Sequence, residues 1–92
     1  MKSHMNDLAR GFSLLSGPIR LAILQLLRDQ PQSVTGLGKA LGLNHWTAMH
    51  HLALLRTGPL VARKRQGKLV IYSVDRAAMK ALSAGLVSLM PK

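Results

Sequence analysis

Apolar residues recur along this chain in blocks of helical period that glycine and proline interrupt, and one block changes to strand-like composition. Leu8, Phe12 and Leu15 predict a first amphipathic helix over residues 6–16. Gly17-Pro18 ends it, and Pro18 suits the first position of a second helix, where a missing N–H is no loss. Ile19, Ala22, Ile23, Leu26 and Leu27 give that helix a broad apolar stripe as far as Arg28. Gln30-Pro31-Gln32 reads as a linker. Thr35 is the expected cap of a short third helix ending at Leu41, in which Gly36 and Gly38 each cost roughly 1 kcal/mol relative to Ala. Packing must therefore hold that helix. Gly42 is placed for a left-handed stop and Asn44 for the N-cap of a fourth helix over residues 45–57, which Gly58-Pro59 breaks. Residues 60–65 and 68–74, rich in Val, Ile and Tyr, read as two strands joined by a tight turn at Gln66-Gly67. Asp75 then caps a last helix with Met79, Leu82, Leu86, Leu89 and Met90 on one face.

The fourth helix is unusual because both of its sides carry bulk. At about 100° per residue, Ala48, Leu52 and Leu55 fall on one side and Trp46, Met49, His50 and Ala53 on the other. One reading buries both sides. The short helix and turn before it and the hairpin after it favour another, in which the second face is exposed as the reading surface of a winged helix-turn-helix. In such proteins the N-terminal part of the second helix meets base edges in the major groove. Asn44, His45, Thr47 and His50 carry groups that hydrogen-bond to base edges, while Trp46 and Met49 suit a thymine methyl. Arg56 closes the helix. Arg63, Lys64, Arg65 and Lys68 cluster with Gln66 at the hairpin tip without an acid among them. Such a run is most often a solvated edge, but beside this helix phosphate or minor-groove contact is the stronger reading. The fold class expected is mainly α with a small β-hairpin: about five helices and a two-stranded wing.

Composition sharpens this picture. Ninety-two residues make one domain, expected to span residues 6–90, and Met1 to Met5 reads as a cloning remnant or disordered start. So short a chain buries a modest share of its surface alone. A homodimer through the first and last helices, using Leu8, Phe12, Met79, Leu82, Leu86 and Leu89, is the expected way to cover their apolar faces. Thirteen Lys and Arg against Asp7, Asp29 and Asp75, with no Glu, give a net charge of +10. That excess points to a polyanion, since each cation placed on a phosphate releases counterions. The absence of Cys removes disulfides and thiolate metal sites, and no apolar run approaches the roughly 20 residues needed to span a bilayer. A cytoplasmic, nucleoid-associated prokaryotic protein is the expectation.

At this point the residues resemble a family. Leu15-Ser16-Gly17-Pro18-Ile19-Arg20-Leu21-Ala22-Ile23-Leu24 is similar to the Leu-Gly-Asp-Pro-Thr-Arg-Leu-x-Ile-Leu opening of the ArsR/SmtB winged-helix repressors. Leu41-Gly42-Leu43, His51-Leu52, Leu55-Arg56 and Leu60-Val61 resemble its recognition region, and Gln66-Gly67-Lys68 with Val70, Tyr72 and Ser73 its wing. The resemblance implies a dimeric repressor in which Asn44, His45, Trp46, Thr47, Met49 and His50 face DNA, and His51 packs or meets a phosphate. Three positions depart from it. Ser usually stands where Met49 does, a small polar residue where Trp46 does, and Ala-Gly where Gly58-Pro59 does.

Metal-sensing members carry a Cys-x-Cys type element in the third helix or a spaced Asp/His/Glu set in the last. Gly, Lys and Ala stand at those positions here, with Asp75 alone nearby, so no metal or other cofactor is expected. His45, His50 and His51 lack a common ligand geometry, since adjacent His50 and His51 point about 100° apart. No acid/base pair or activated nucleophile is visible, so the chain is not expected to be an enzyme. The expected function is a sequence-specific transcriptional regulator, a homodimeric repressor reading an inverted repeat in double-stranded DNA. The alternatives are a nonspecific architectural DNA- or RNA-binding protein and a winged-helix protein-interaction module.

Overall fold

A computed structural model describes residues 2–92, with side chains from His4 onward. The helices are α1 (Lys2–Leu14), α2 (Pro18–Asp29), α3 (Val34–Leu41), α4 (His45–Thr57) and α5 (Arg76–Val87). The strands are β1 (Gln32–Ser33), β2 (Val61–Gln66) and β3 (Leu69–Val74). The chain is a winged helix-turn-helix. Helix α1 begins four residues before the expected start at Asn6, since nothing in Ser3-His4-Met5 breaks a helix. Helix α2 opens on Pro18 behind Gly17, and α5 opens on Asp75, whose carboxylate accepts the Ala78 N–H at 2.9 Å.

Three local expectations are corrected. The segment read as a linker contributes β1, which pairs antiparallel with β3 through Gln32 with Tyr72 and Ser33 with Ile71, so the sheet has three strands in the order β1-β3-β2. Two residues carry no periodicity to read; they form a strand because β3 offers them an open edge. The cap of α3 is Ser33, not Thr35: its Oγ accepts the Gly36 N–H at 3.0 Å, and the helix starts at Val34. The hairpin turn is Gly67-Lys68 rather than Gln66-Gly67, because Gln66 pairs with Leu69 to close the ladder and Gly67 takes φ 63°. Gly67 supplies the positive φ that the first central position of this turn needs, and the Gln66–Leu69 pair places the turn one residue along.

The core joins Ile23, Leu24 and Leu27 of α2, Leu37 of α3, Leu52 and Leu55 of α4, Leu60, and Val61 and Tyr72 of the sheet. Each fully buried Leu or Ile side chain stabilises the fold by roughly 1.5 to 3 kcal/mol. Leu8 of α1 and Leu82 of α5 complete the core through a reciprocal contact. A methyl group on Gly11 would collide with Leu82, and one on Gly85 would collide with Leu8. The two helices therefore approach with each leucine seated on the other's glycine.

That contact corrects part of the expected dimer surface. Leu8 and Leu82 are covered within the chain, while Phe12 and Met79 are half-buried against the same core. Of the expected set, Leu86 and Leu89 remain exposed, at 58% and 61%, with Val87 and Met90 beside them. The apolar surface left over on the two helices thus lies at the C-terminal end of α5, with Met5 of α1 exposed as well.

Gly85→Leu should lower stability by roughly 1 to 3 kcal/mol, as overpacking does in a filled site. Urea denaturation against the parent chain checks this. An unchanged midpoint would mean that α1 and α5 do not pack this closely.

Candidate nucleic-acid interface

The helix-turn-helix unit is fixed by short-range contacts before the core acts on it. Gly42 takes φ 66° at the end of α3, and its N–H and that of Leu43 both bond to the Gly38 carbonyl, the latter at 2.8 Å. A Cβ on Gly38 would lie 2.9 Å from the Leu43 carbonyl oxygen, so only glycine allows the turn to fold back this tightly. Asn44 then starts α4, its Oδ1 accepting the Thr47 N–H at 2.9 Å. The start of α4 and its rotation relative to α3 follow from these few atoms.

Helix α4 divides as its sequence suggests. Ala48, Leu52 and Leu55 are each 0% exposed, whereas Trp46 is 78% and Met49 41% exposed. His45, His50, Ala53 and Arg56 are exposed as well, and Thr47 and His51 are half-buried at the edges of the seam. The His45 and Trp46 rings stand edge to face, 6.5 Å between centroids. Asn44 is exposed too, and with one lone pair of its oxygen taken by the helix cap, the amide keeps its NH2 and a second lone pair free.

On the wing, Val61, Arg63 and Arg65 share one face of β2, and Lys64 and Gln66 the other. Val61 is buried at the root, and the pairing of Arg63 with Tyr72 puts this arginine where the core-facing side of the sheet runs out into solvent. Arg63, Lys64, Arg65, Gln66 and Lys68 are all exposed. Among the described residues the one ion pair is Arg28–Asp29 at 3.7 Å, with both side chains at least 74% exposed. Such a pair is worth little, and it leaves every wing cation without a carboxylate partner.

Two groups escaped the sequence reading. A shallow groove beside His45 is lined by Thr35 and Lys39 of α3, adding a hydroxyl and a cation next to the exposed face of α4. Lys39 is a lone cation on a short helix, and nothing in its spacing marks it. The other is Arg20, whose Nε donates to the Leu14 carbonyl at 2.6 Å and whose guanidinium lies 3.3 Å from Nδ1 of His51. It ties the end of α1 to the recognition helix. As Arg20 has no acceptor to offer, Nδ1 of His51 accepts and is unprotonated. Burial, then the positive charges of Arg20 and His50, hold the His51 pKa below its ordinary 6.5.

With this geometry in place, comparison with known proteins is decisive. Residues 17–62, which run from the N-cap of α2 through the recognition helix into the wing, match the bacterial regulatory protein, arsR family. The chain belongs to the arsR family. It is 37% identical over 68 residues to the HTH-type transcriptional regulator NmtR of Mycobacterium tuberculosis, an alignment covering 74% of this chain and 57% of that protein. It thus spans little more than half the length of this relative. Among solved structures, the homodimeric winged helix-turn-helix DNA-binding domain of Mb0332 from Mycobacterium bovis, a possible ArsR-family regulator, superposes with a TM-score of 0.82 at 27% identity, covering 95% of this chain and 82% of that one. An ArsR-like transcriptional regulator from Rhodococcus sp. RHA1 gives a TM-score of 0.85 at 26% identity, with 92% and 80% covered.

Among the described residues no three His, Asp, Glu or Cys side chains come together to hold a metal ion. None of the described helices is long and apolar enough to cross a membrane.

The His51 contact has a pH signature. Its folded-state pKa is depressed, so the unfolded chain binds the extra proton first, and the contribution of the neutral ring is full above about pH 6.5 and lost as pH falls through the depressed value. Urea midpoints should therefore drop between pH 7.5 and pH 5, and His51→Gln should flatten part of that drop. An identical pH dependence in the variant would contradict the assignment.

Proposed function

We propose that this arsR-family chain is a sequence-specific DNA-binding transcriptional regulator, a homodimeric repressor that reads an inverted repeat. Two α4 helices enter successive major grooves, and the wings hold the flanking backbone. The observation that carries this reading is the division of α4, with its seam fully buried, Trp46 78% exposed on the other face, and unpaired cations on the wing beside it. In this reading Asn44, His45, Trp46, Thr47, Met49 and His50 face the bases, while Arg56, Arg63, Lys64, Arg65, Gln66 and Lys68 meet phosphates. Thr35 and Lys39 add a phosphate contact at the head of α4.

The dimer rests on the homodimeric Mycobacterium bovis domain and on the exposed Leu86, Val87, Leu89 and Met90 at the end of α5. The placement proposed for the protein is the bacterial cytoplasm, at the nucleoid, acting without catalysis. Repression follows from occupancy, since a bound dimer blocks a promoter.

Selection from random DNA tests the whole reading: one palindromic site should be preferred by roughly 10³-fold or more at physiological salt. A flat profile with a steep salt dependence would instead mark an architectural protein. Replacing Arg63, Lys64, Arg65 and Lys68 with Gln removes four cations from each protomer, and should weaken binding of the dimer to all sequences and reduce its salt slope by roughly 7. His50→Ala should change which sequence is preferred. Normal DNA binding by the wing variant would favour a protein partner.

A further inference from the structure

The exposed face of α4 is unusual in what it omits. Guanine is read best by a bidentate Arg or Lys, adenine by a bidentate Asn or Gln, and cytosine by a carboxylate accepting from N4. From residue 45 to residue 55 the helix carries no Arg, Lys, Asn, Gln, Asp or Glu. Asn44 is the single amide at its head, and its oxygen, which a bidentate adenine contact requires, already accepts the Thr47 N–H through one lone pair. His45, His50 and the half-buried Thr47 supply single hydrogen bonds, which discriminate weakly. The area left at the N-terminal end is apolar: the indole of Trp46 and the thioether of Met49. The cations that draw in a polyanion lie on the wing and at Arg56, which makes duplex DNA the occupant that the surrounding charge selects.

Resting on the function proposed above, we infer that this protein specifies its site chiefly through thymine C5-methyl groups, with Trp46 and Met49 as the specificity-determining residues. The major-groove surface of a thymine is apolar only at that methyl. An exposed indole projecting from the first turn of a recognition helix gains most where it covers such a group. The half-site it selects is therefore rich in A·T pairs with thymines at defined positions. The wing supplies affinity that does not depend on sequence.

The test uses a duplex bearing the inverted repeat recovered by selection, with each thymine replaced in turn by deoxyuridine, which lacks only the methyl. At two or more positions per half-site the substitution should weaken binding roughly four-fold, the effect of removing one buried methyl contact. Trp46→Ala should bind the thymine and uracil duplexes equally at one of those positions, and Met49→Ala at another. Trp46 is largely solvated, so its truncation leaves the core intact. It is also the sole tryptophan of the chain, and its fluorescence reports directly: acrylamide should quench it readily in the free protein and poorly in the complex. Equal affinity for thymine and uracil at every position, or undiminished quenching in the complex, would overturn the inference while leaving the regulator intact. A selection returning no preferred sequence would overturn the regulator, and this inference with it.

Discussion

Everything the exposed face presents depends on the seam formed by Ala48, Leu52 and Leu55. Helix α4 carries apolar residues all round, so amphipathicity alone does not determine which side turns inward. Burial of Leu52 and Leu55 at 0% exposure is worth several kcal/mol by the usual area relation. Rotating the helix to bury Trp46 and Met49 would expose both leucines and bring an indole to the place where Ala48 now fits with no accessible surface. Ala48 is thus as decisive as the leucines: a methyl group there lets α4 lie close against the core, and a larger side chain would hold it away.

The rotation is also set from outside the seam. Gly38 and Gly42 bring the chain out of α3 in one direction, and Asn44 closes the first turn of α4 at one residue. At the other end, the Leu60 N–H bonds to the Leu55 carbonyl at 2.8 Å, and the Leu60 carbonyl accepts from Asp75 at 2.9 Å. The root of the wing is therefore bonded to the last turn of α4 and to the cap of α5. Arg20 adds a third tie from the other flank through His51. The wing and α4 are thus joined through the buried Leu60 and its two backbone hydrogen bonds as well as through the short segment between them.

The features legible in the sequence are those in which one residue performs one local task. Pro18 opening a helix, Gly42 ending one, and Asn44 and Asp75 capping others follow from backbone chemistry, and all four stand where the sequence puts them. The two faces of α4 were legible for a similar reason, since helical geometry assigns them once the helix is known. The cap of α3 is a local exception, since Ser33 and Thr35 are both good caps and the backbone start at Val34 selects Ser33; the rest of what escaped depends on distant partners. The strand β1 exists only against β3, Arg20 has meaning only beside Leu14 and His51, and the pairing of Leu8 with Gly85 joins residues at opposite ends of the chain. The hairpin turn was misplaced by one residue because Gly67 suits either central position of a turn, and only the ladder, closed by Gln66 with Leu69, decides between them.

On the proposed function, the fold separates two physical demands that many DNA-binding surfaces combine. Cations on a recognition helix attract phosphates and bases together, so gains in affinity leak into nonspecific binding. Here the wing concentrates charge where no base-pair surface need be matched, and the first turns of α4 carry none. Apolar contacts do not act at a distance, whereas charges act over about 10 Å at moderate salt. In the function proposed above, such a protein would be held to any duplex by the wing, and its choice among sites would rest on contacts that form only when the fit is close. Salt and sequence then act on different elements of the fold, joined through Leu60.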